Sequence, residues 1–163
     1  MSSLKAGIIG LGQMGRNHAR VYRSLPGVDL VVLADSEKIP EEVSRGIETV
    51  RTAEEMLDHK IDFCIVATPT ISHEEIGVLM AEAGVHTLIE KPISDNSEGA
   101  KRLIASFEKA QVIGCVGHIE RFNPAIQSMK ERIKNGDLGS IFQISTRRQG
   151  PFVPRVRDVG VIK

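Results

Sequence analysis

The sequence has no surplus charge of either sign: 21 Lys and Arg balance 21 Asp and Glu across 163 residues. A chain without a basic field has nothing to gather nucleic acid or an anionic lipid surface, so neither is expected as a partner. Long apolar runs are also missing, and no stretch reaches the length that spans a bilayer. The start, Met1-Ser2-Ser3-Leu4-Lys5, passes straight into a short apolar segment. It lacks the charged leader, long apolar stretch and small-residue cleavage site of a secretory signal, which points to the cytoplasm. Cysteine is scarce. Cys64 and Cys115 each lie in a valine- and isoleucine-rich run, where a cysteine packs as a small buried hydrophobe. No CxxC or HxxxH spacing marks a metal site, and no serine sits in a nucleophile elbow. Redox chemistry on a bound cofactor is the class left open.

What is present is alternation. A hydrophobic content of 41% suits one ordinary domain and the beginning of another. Apolar runs at Leu4–Gly10, Val28–Asp35, Thr49–Arg51, Asp62–Thr68, Val85–Glu90 and Val112–Gly117 predict six strands, rich in Val, Ile or Leu on successive positions because both faces are covered. Helical stretches separate them, so the fold class is α/β: a doubly wound parallel sheet of the Rossmann type. Helix marks are local. Gln13–Leu25 opens on glycines, Thr52 with Glu55 and Ser72 with Glu75 read as capping boxes, and Gly84 ends the second of these helices. Ser94–Ser97 offers N-caps for a helix to about Ala110, and Asn123-Pro124 starts one that ends near Asn135-Gly136. Beyond it, Ile141–Arg148 alternates apolar and polar residues like a half-exposed antiparallel strand, while Pro151–Lys163 has no clear element. The expected division is a Rossmann domain over 1–122 and, over 123–163, the first helix and strand of a truncated α+β domain.

Gly10-Leu11-Gly12-Gln13-Met14-Gly15 is the motif that carries most chemistry. It follows a strand and opens a helix, and Asp35 ends the next strand about 20 residues on, as in a dinucleotide-binding fingerprint. The first glycine permits the tight turn, the second lets backbone approach a pyrophosphate, and the third allows close helix–strand contact. The helix N-terminus presents free N–H groups to the negative charge. All six residues are therefore candidate cofactor ligands, with Asp35 and Ser36 at the adenosine ribose. The Asp35 carboxylate would accept ribose hydroxyls and repel a 2′-phosphate, favouring NAD over NADP.

Ala67-Thr68-Pro69-Thr70 and Glu90-Lys91-Pro92 follow the fourth and fifth strands, at the edge where open α/β sheets bind ligands. A lysine held between an acidic residue and a proline reads as a placed functional group. His73, one residue into a helix, and His118, after the sixth strand, are cofactor-side candidates. His59 and His86 read as structural or exposed.

These residues, with Asn17-His18-Ala19 and Gly136-Asp137-Leu138-Gly139, resemble the glucose-fructose oxidoreductase/inositol dehydrogenase/MocA family over nearly the whole chain. Gly117-His118-Ile119-Glu120-Arg121-Phe122-Asn123-Pro124-Ala125, together with the stretch from Arg147-Arg148-Gln149-Gly150-Pro151-Phe152 to Ile162, is similar to the branch of UDP-N-acetylglucosamine 3-dehydrogenases. The resemblance implies a dehydrogenase that moves a hydride between a nicotinamide cofactor and a sugar or sugar-nucleotide hydroxyl. It implies that Lys91 is catalytic, orienting the substrate and relaying its hydroxyl proton, and that Glu90 approaches the nicotinamide-side ribose. Arg121 and Asn123 fall on the substrate side, and Thr70 stands where many members have Asn. The resemblance further implies that the rest of the substrate half, with a His and an Asp, follows Lys163, so that the isolated chain binds cofactor but turns over little substrate. An unpaired strand at Ile141–Arg148 would seek another copy, giving a homo-oligomer. Two other readings use the same residues: a free-standing nicotinamide-binding sensor or regulatory subunit, and a reductase of another substrate class on the same sheet.

Overall fold

The structure is a computed structural model that describes residues 3–147 and Gln149. The six apolar runs form six strands: β1 (Leu4–Ile9), β2 (Val28–Ala34), β3 (Glu48–Val50), β4 (Phe63–Val66), β5 (His86–Ile89) and β6 (Gly114–Val116). All pair in parallel, in the order β3-β2-β1-β4-β5-β6. The chain thus winds outward from β1 in one direction and from β4 in the other, giving the doubly wound Rossmann sheet. Side chains alternate across each strand. Ile8, Leu33 and Ile65 face one layer with Leu11, Ala19 and Val43; Ile9, Val32, Val66 and Ile89 face the other with Met56, Met80, Leu103 and Phe107. Every central strand therefore needs apolar residues on consecutive positions, which is why the runs were legible.

Helices α1 (Gln13–Tyr22) and α2 (Glu41–Ser44) contribute to the first layer, and α3 (Ala53–Leu57), α4 (His73–Glu82) and α5 (Ser97–Ala110) to the second. Caps explain most boundaries. Thr52 accepts the Glu55 N–H at 3.2 Å, although the Glu55 carboxylate reaches back to the Arg51 N–H at 2.7 Å, one residue earlier than in a capping box. Asn96 caps α5 by accepting the Gly99 N–H at 2.8 Å. The expected Ser72–Glu75 box does not form. Pro69 starts a 3-10 turn over Thr70–Ser72 that runs directly into α4, so Ser72 already has helical angles and its hydroxyl does not cap. Cys64 is buried as expected, but Cys115 is exposed. It lies on β6, the sheet edge, where Gly114 and Cys115 are both left uncovered.

The described residues divide into two compact units, one over 3–117 and one from His118 onward. The second contains a 3-10 turn (Ile119–Phe122) and α6 (Pro124–Lys134), whose N-cap Asn123 accepts the Ala125 N–H at 3.0 Å with Pro124 in the first turn. Residues 141–147 form no strand, contrary to expectation; a ladder needs a partner, and none of the described residues pairs with them. Arg148 and Pro151–Lys163 lie outside the described residues. Among the described residues no helix is long and apolar enough to cross a membrane, and no His, Cys, Asp or Glu cluster could hold a metal ion.

Candidate cofactor-binding site

The register of the sheet assembles the site. Ile9 pairs with both Ala34 and Val66, and Val66 pairs with Ile89. The residues that follow, Gly10, Asp35, Ala67 and Glu90, therefore stand in one row across the C-terminal edge. Backbone bonds continue the ladder into it: Gly10 N–H donates to Ala34 O at 2.9 Å, Ala67 N–H to Ile9 O at 2.8 Å and Glu90 N–H to Val66 O at 2.9 Å. This edge lies where β1 and β4 send their helices to opposite faces, the crevice of open α/β folds.

The three glycines of the turn have three distinct environments. Gly10 has φ +87°, and a Cβ there would sit 2.6 Å from Ala67 C and Thr68 N. A Cβ on Gly15 would overlap Gly10 O at 1.8 Å, so α1 can pack against the turn only without one. Gly12 differs: a Cβ would meet nothing within 4 Å. Its bareness serves neither packing nor φ, and it leaves open space above the N-terminus of α1. Gly12 is the N-cap, no side chain caps that end, and no acidic residue lies in the first turn. The positive end of the helix dipole is thus left for an anion. Thr68 Oγ1 is buried without a hydrogen-bond partner among the described residues. An open cradle and an orphaned polar atom on one edge fit a dinucleotide with a pyrophosphate.

Asp35 closes the turn from the β2 side. Its Oδ2 accepts the Leu11 N–H at 2.6 Å and Oδ1 the Glu37 N–H at 2.9 Å, and a carboxylate with about four acceptor sites still has capacity for hydroxyl donors. Ser36 is exposed, and its carbonyl accepts from the Arg51 guanidinium at 2.6 Å. Arg16 Nε donates to Leu11 O at 2.9 Å, bracing the turn from within α1.

On the other side, Glu90 is buried and Lys91 exposed. Glu90 Oε1 lies 2.9 Å from His18 Nε2 on α1, and Oε2 accepts the Lys91 N–H at 3.2 Å. Burial alone would push this carboxyl upward, but the bond and charge of His18 and the Lys91 N–H outweigh it and hold it below the ordinary carboxylate value. The His18 ring is backed by Tyr22, with ring centroids 6.2 Å apart, and Tyr22 by Phe63.

His73 departs from expectation. It is 1% exposed, with Nδ1 2.8 Å from Pro92 O and Nε2 3.0 Å from Thr68 O. Both nitrogens are used within the protein, so the ring offers no free nitrogen to a ligand and ties two loops together instead. His18 was quoted in the sequence only as part of a family motif. Its pairing with Glu90, 72 residues away, has no local signal. Pro69 is exposed and Thr70 buried at the start of their turn. His118, Arg121 and Asn123 belong to the second unit, where Asn123 also donates to Glu120 Oε2 at 2.9 Å.

Residues 4–118 match the family model described as "Oxidoreductase family, NAD-binding Rossmann fold". The chain is 30% identical over 162 residues to UDP-N-acetylglucosamine 3-dehydrogenase of Acidithiobacillus ferrooxidans, covering 99% of this chain and 50% of that protein. It is 32% identical over 155 residues to scyllo-inositol 2-dehydrogenase (NAD(+)) of Bacillus subtilis, covering 90% and 45% respectively. Among solved structures, myo-inositol 2-dehydrogenase from Lactobacillus plantarum superimposes with a TM-score of 0.80 at 28% identity, over 86% of this chain and 43% of that one. The chain spans about half the length of the curated relatives it matches.

Proposed function

The chain belongs to the GFO/IDH/MocA oxidoreductase family, with its NAD-binding Rossmann fold, and from that premise we propose that it is the cofactor-holding part of an NAD-dependent dehydrogenase. The observation that carries this reading is the row at the sheet edge, which sets the Gly10–Gly15 turn, Asp35, Thr68 and the Glu90-Lys91 segment along one crevice. A bound nicotinamide dinucleotide supplies the hydride acceptor or donor. The residues of the chain do the rest. Gly12, Gln13 and Met14 offer backbone N–H groups to the pyrophosphate, while the Leu11 N–H, expected there too, is taken by Asp35; Asp35 with Ser36 takes the adenosine ribose, where a fixed carboxylate disfavours a 2′-phosphate. Ala67, Thr68, Pro69 and Thr70 form the middle of the wall, with the Thr68 hydroxyl as donor or acceptor. Glu90 fixes the segment next to the nicotinamide-side ribose. The exposed Lys91 side chain hydrogen-bonds the reacting oxygen, as the neutral amine accepting its hydroxyl proton when the alcohol is oxidised and as the ammonium returning it in the reverse direction.

The substrate in this reading is a sugar or sugar-nucleotide hydroxyl, the class named for the similar dehydrogenases, with UDP-N-acetylglucosamine as the specific candidate. His118, Arg121 and Asn123 are the contacts we assign to the second unit, on the cofactor and substrate sides. Self-association belongs to the same proposal, because α6 buries none of its residues, Met129 on it is exposed, and so is Phe122 just before it. Fluorescence titration of the chain with NADH and NADPH, alongside Asp35→Ala, tests the cofactor reading. NADH should bind more tightly than NADPH, and the variant should narrow the difference. Absence of saturable binding by either nucleotide overturns the proposal; tighter NADPH binding overturns the role of Asp35.

A further inference from the structure

Lys91 is gripped through both of its sequence neighbours, each from a different side of the sheet. On the α1 side His18 Nε2 meets Glu90 Oε1 at 2.9 Å. On the α4 side His73 Nδ1 meets Pro92 O at 2.8 Å, while its Nε2 reaches Thr68 O at 3.0 Å. The two helices pack on opposite faces, Ala19 of α1 against Ile8 and Ile65, and Met80 and Ala81 of α4 against Ile9 and Val66. The grip has little slack. A Cβ on Gly117 would lie 3.2 Å from the Glu90 carboxyl, so Glu90 is backed by main chain, and its second oxygen holds the Lys91 N–H. The Lys91 side chain itself is left exposed.

Resting on the reading that Lys91 works beside a bound nicotinamide, we infer that His18 and His73 are positioning residues for Lys91: one ties its segment to α1, the helix of the glycine turn, the other to the start of α4. A helix packed on one face could not by itself fix a residue at a strand end in both directions across the edge. Two tethers, one per layer, can, and they make the distance from the glycine turn to Lys91 a property of the sheet. The two contacts of His73 are not equivalent in this scheme. A carbonyl oxygen only accepts, so each contact needs an N–H on the ring; a neutral ring carries one and the imidazolium two. The Nδ1 contact to Pro92 is the one that reaches the Lys91 segment.

The side-chain amide of Asn can replace an Nδ1 donor and that of Gln an Nε2 donor, which separates the contacts. The whole chain is 13C-methylated at its lysines, the Lys91 resonance is assigned with Lys91→Arg, and NAD+ is titrated while binding is followed in the same samples. The unsubstituted chain should show an NAD+-dependent shift of the Lys91 resonance. At saturating NAD+, His73→Gln and His18→Phe should lose that shift, whereas His73→Asn and His18→Gln should retain it. A residue serving stability alone would lower the melting temperature in all four without sorting the Lys91 signal in this way. If His18→Phe does not fold, the His73 pair decides. A Lys91 shift retained equally in His73→Gln and His73→Asn overturns the inference. An unsubstituted chain that binds NAD+ without any Lys91 shift overturns the placement of Lys91 first, and the inference with it.

Discussion

Gly10 and Gly12 stand two residues apart in one turn, yet the structure gives alanine at the two positions opposite consequences. At Gly10, φ is +87° and the new Cβ would lie 2.6–2.7 Å from Ala67 C, Ala67 O and Thr68 N, all main-chain atoms at the end of β4. The left-handed conformation costs about 1–2 kcal/mol for an L-residue, and forcing the packed backbone apart costs about 1–3 kcal/mol more. Gly10→Ala should therefore lose roughly 2–5 kcal/mol, a fall in melting temperature of roughly 4–20 °C for a chain of this size. At Gly12, φ is −64° and the Cβ would meet nothing within 4 Å. There alanine is neutral or stabilises by about 0.4–1 kcal/mol through the unfolded chain. Its methyl group enters the space kept for the pyrophosphate, so NADH affinity should drop at least about tenfold, or about 1.4 kcal/mol. Denaturant unfolding and NADH titration of both variants separate the two roles. Gly12→Ala with unchanged NADH affinity would refute the assignment of that space, and Gly10→Ala with unchanged stability would refute the steric argument.

Glu90 carries a pH dependence of definite sign. Its folded carboxyl lies below the ordinary value of 4.5 because His18 and the Lys91 N–H outweigh burial. The pair therefore stabilises the fold fully above that ordinary value and loses the contribution as pH falls through the lower folded one. Urea midpoints measured between neutral and acid pH should show a shallower acid limb in Glu90→Gln than in the unsubstituted chain, and an identical limb would refute the pairing. The two cysteines should differ in reactivity, since burial pushes the Cys64 thiol up to about 12 while Cys115 is exposed at the sheet edge. Ellman's reagent should find one fast thiol in the folded chain and two after unfolding; two fast thiols would show that the β4 core opens readily.

Local patterns carried the architecture because they report local constraints. A strand buried on both faces must be apolar at consecutive positions, as in Phe63-Cys64-Ile65-Val66, and a strand-to-helix turn against neighbouring backbone must use glycine, as at Gly10 and Gly15. The places where expectation failed share a different origin. Ser72 reads as an N-cap until Pro69 begins a 3-10 turn ahead of it. Cys115 reads as a core residue until β6 takes the uncovered edge. Residues 141–147 alternate like a strand, but alternation supplies no partner.

Order of elements, sheet class, the glycine turn and the interval to Asp35 were thus determined by the sequence alone, since each rests on periodicity or on spacing along the chain. Only the tertiary structure decided that Gly12 differs in kind from Gly10 and Gly15, that Glu90 is held by His18, and that His73 joins Thr68 to Pro92. Those facts depend on which residues the sheet register and the two helical layers bring within about 3 Å. No pattern of neighbours in the chain encodes a contact made across 72 positions.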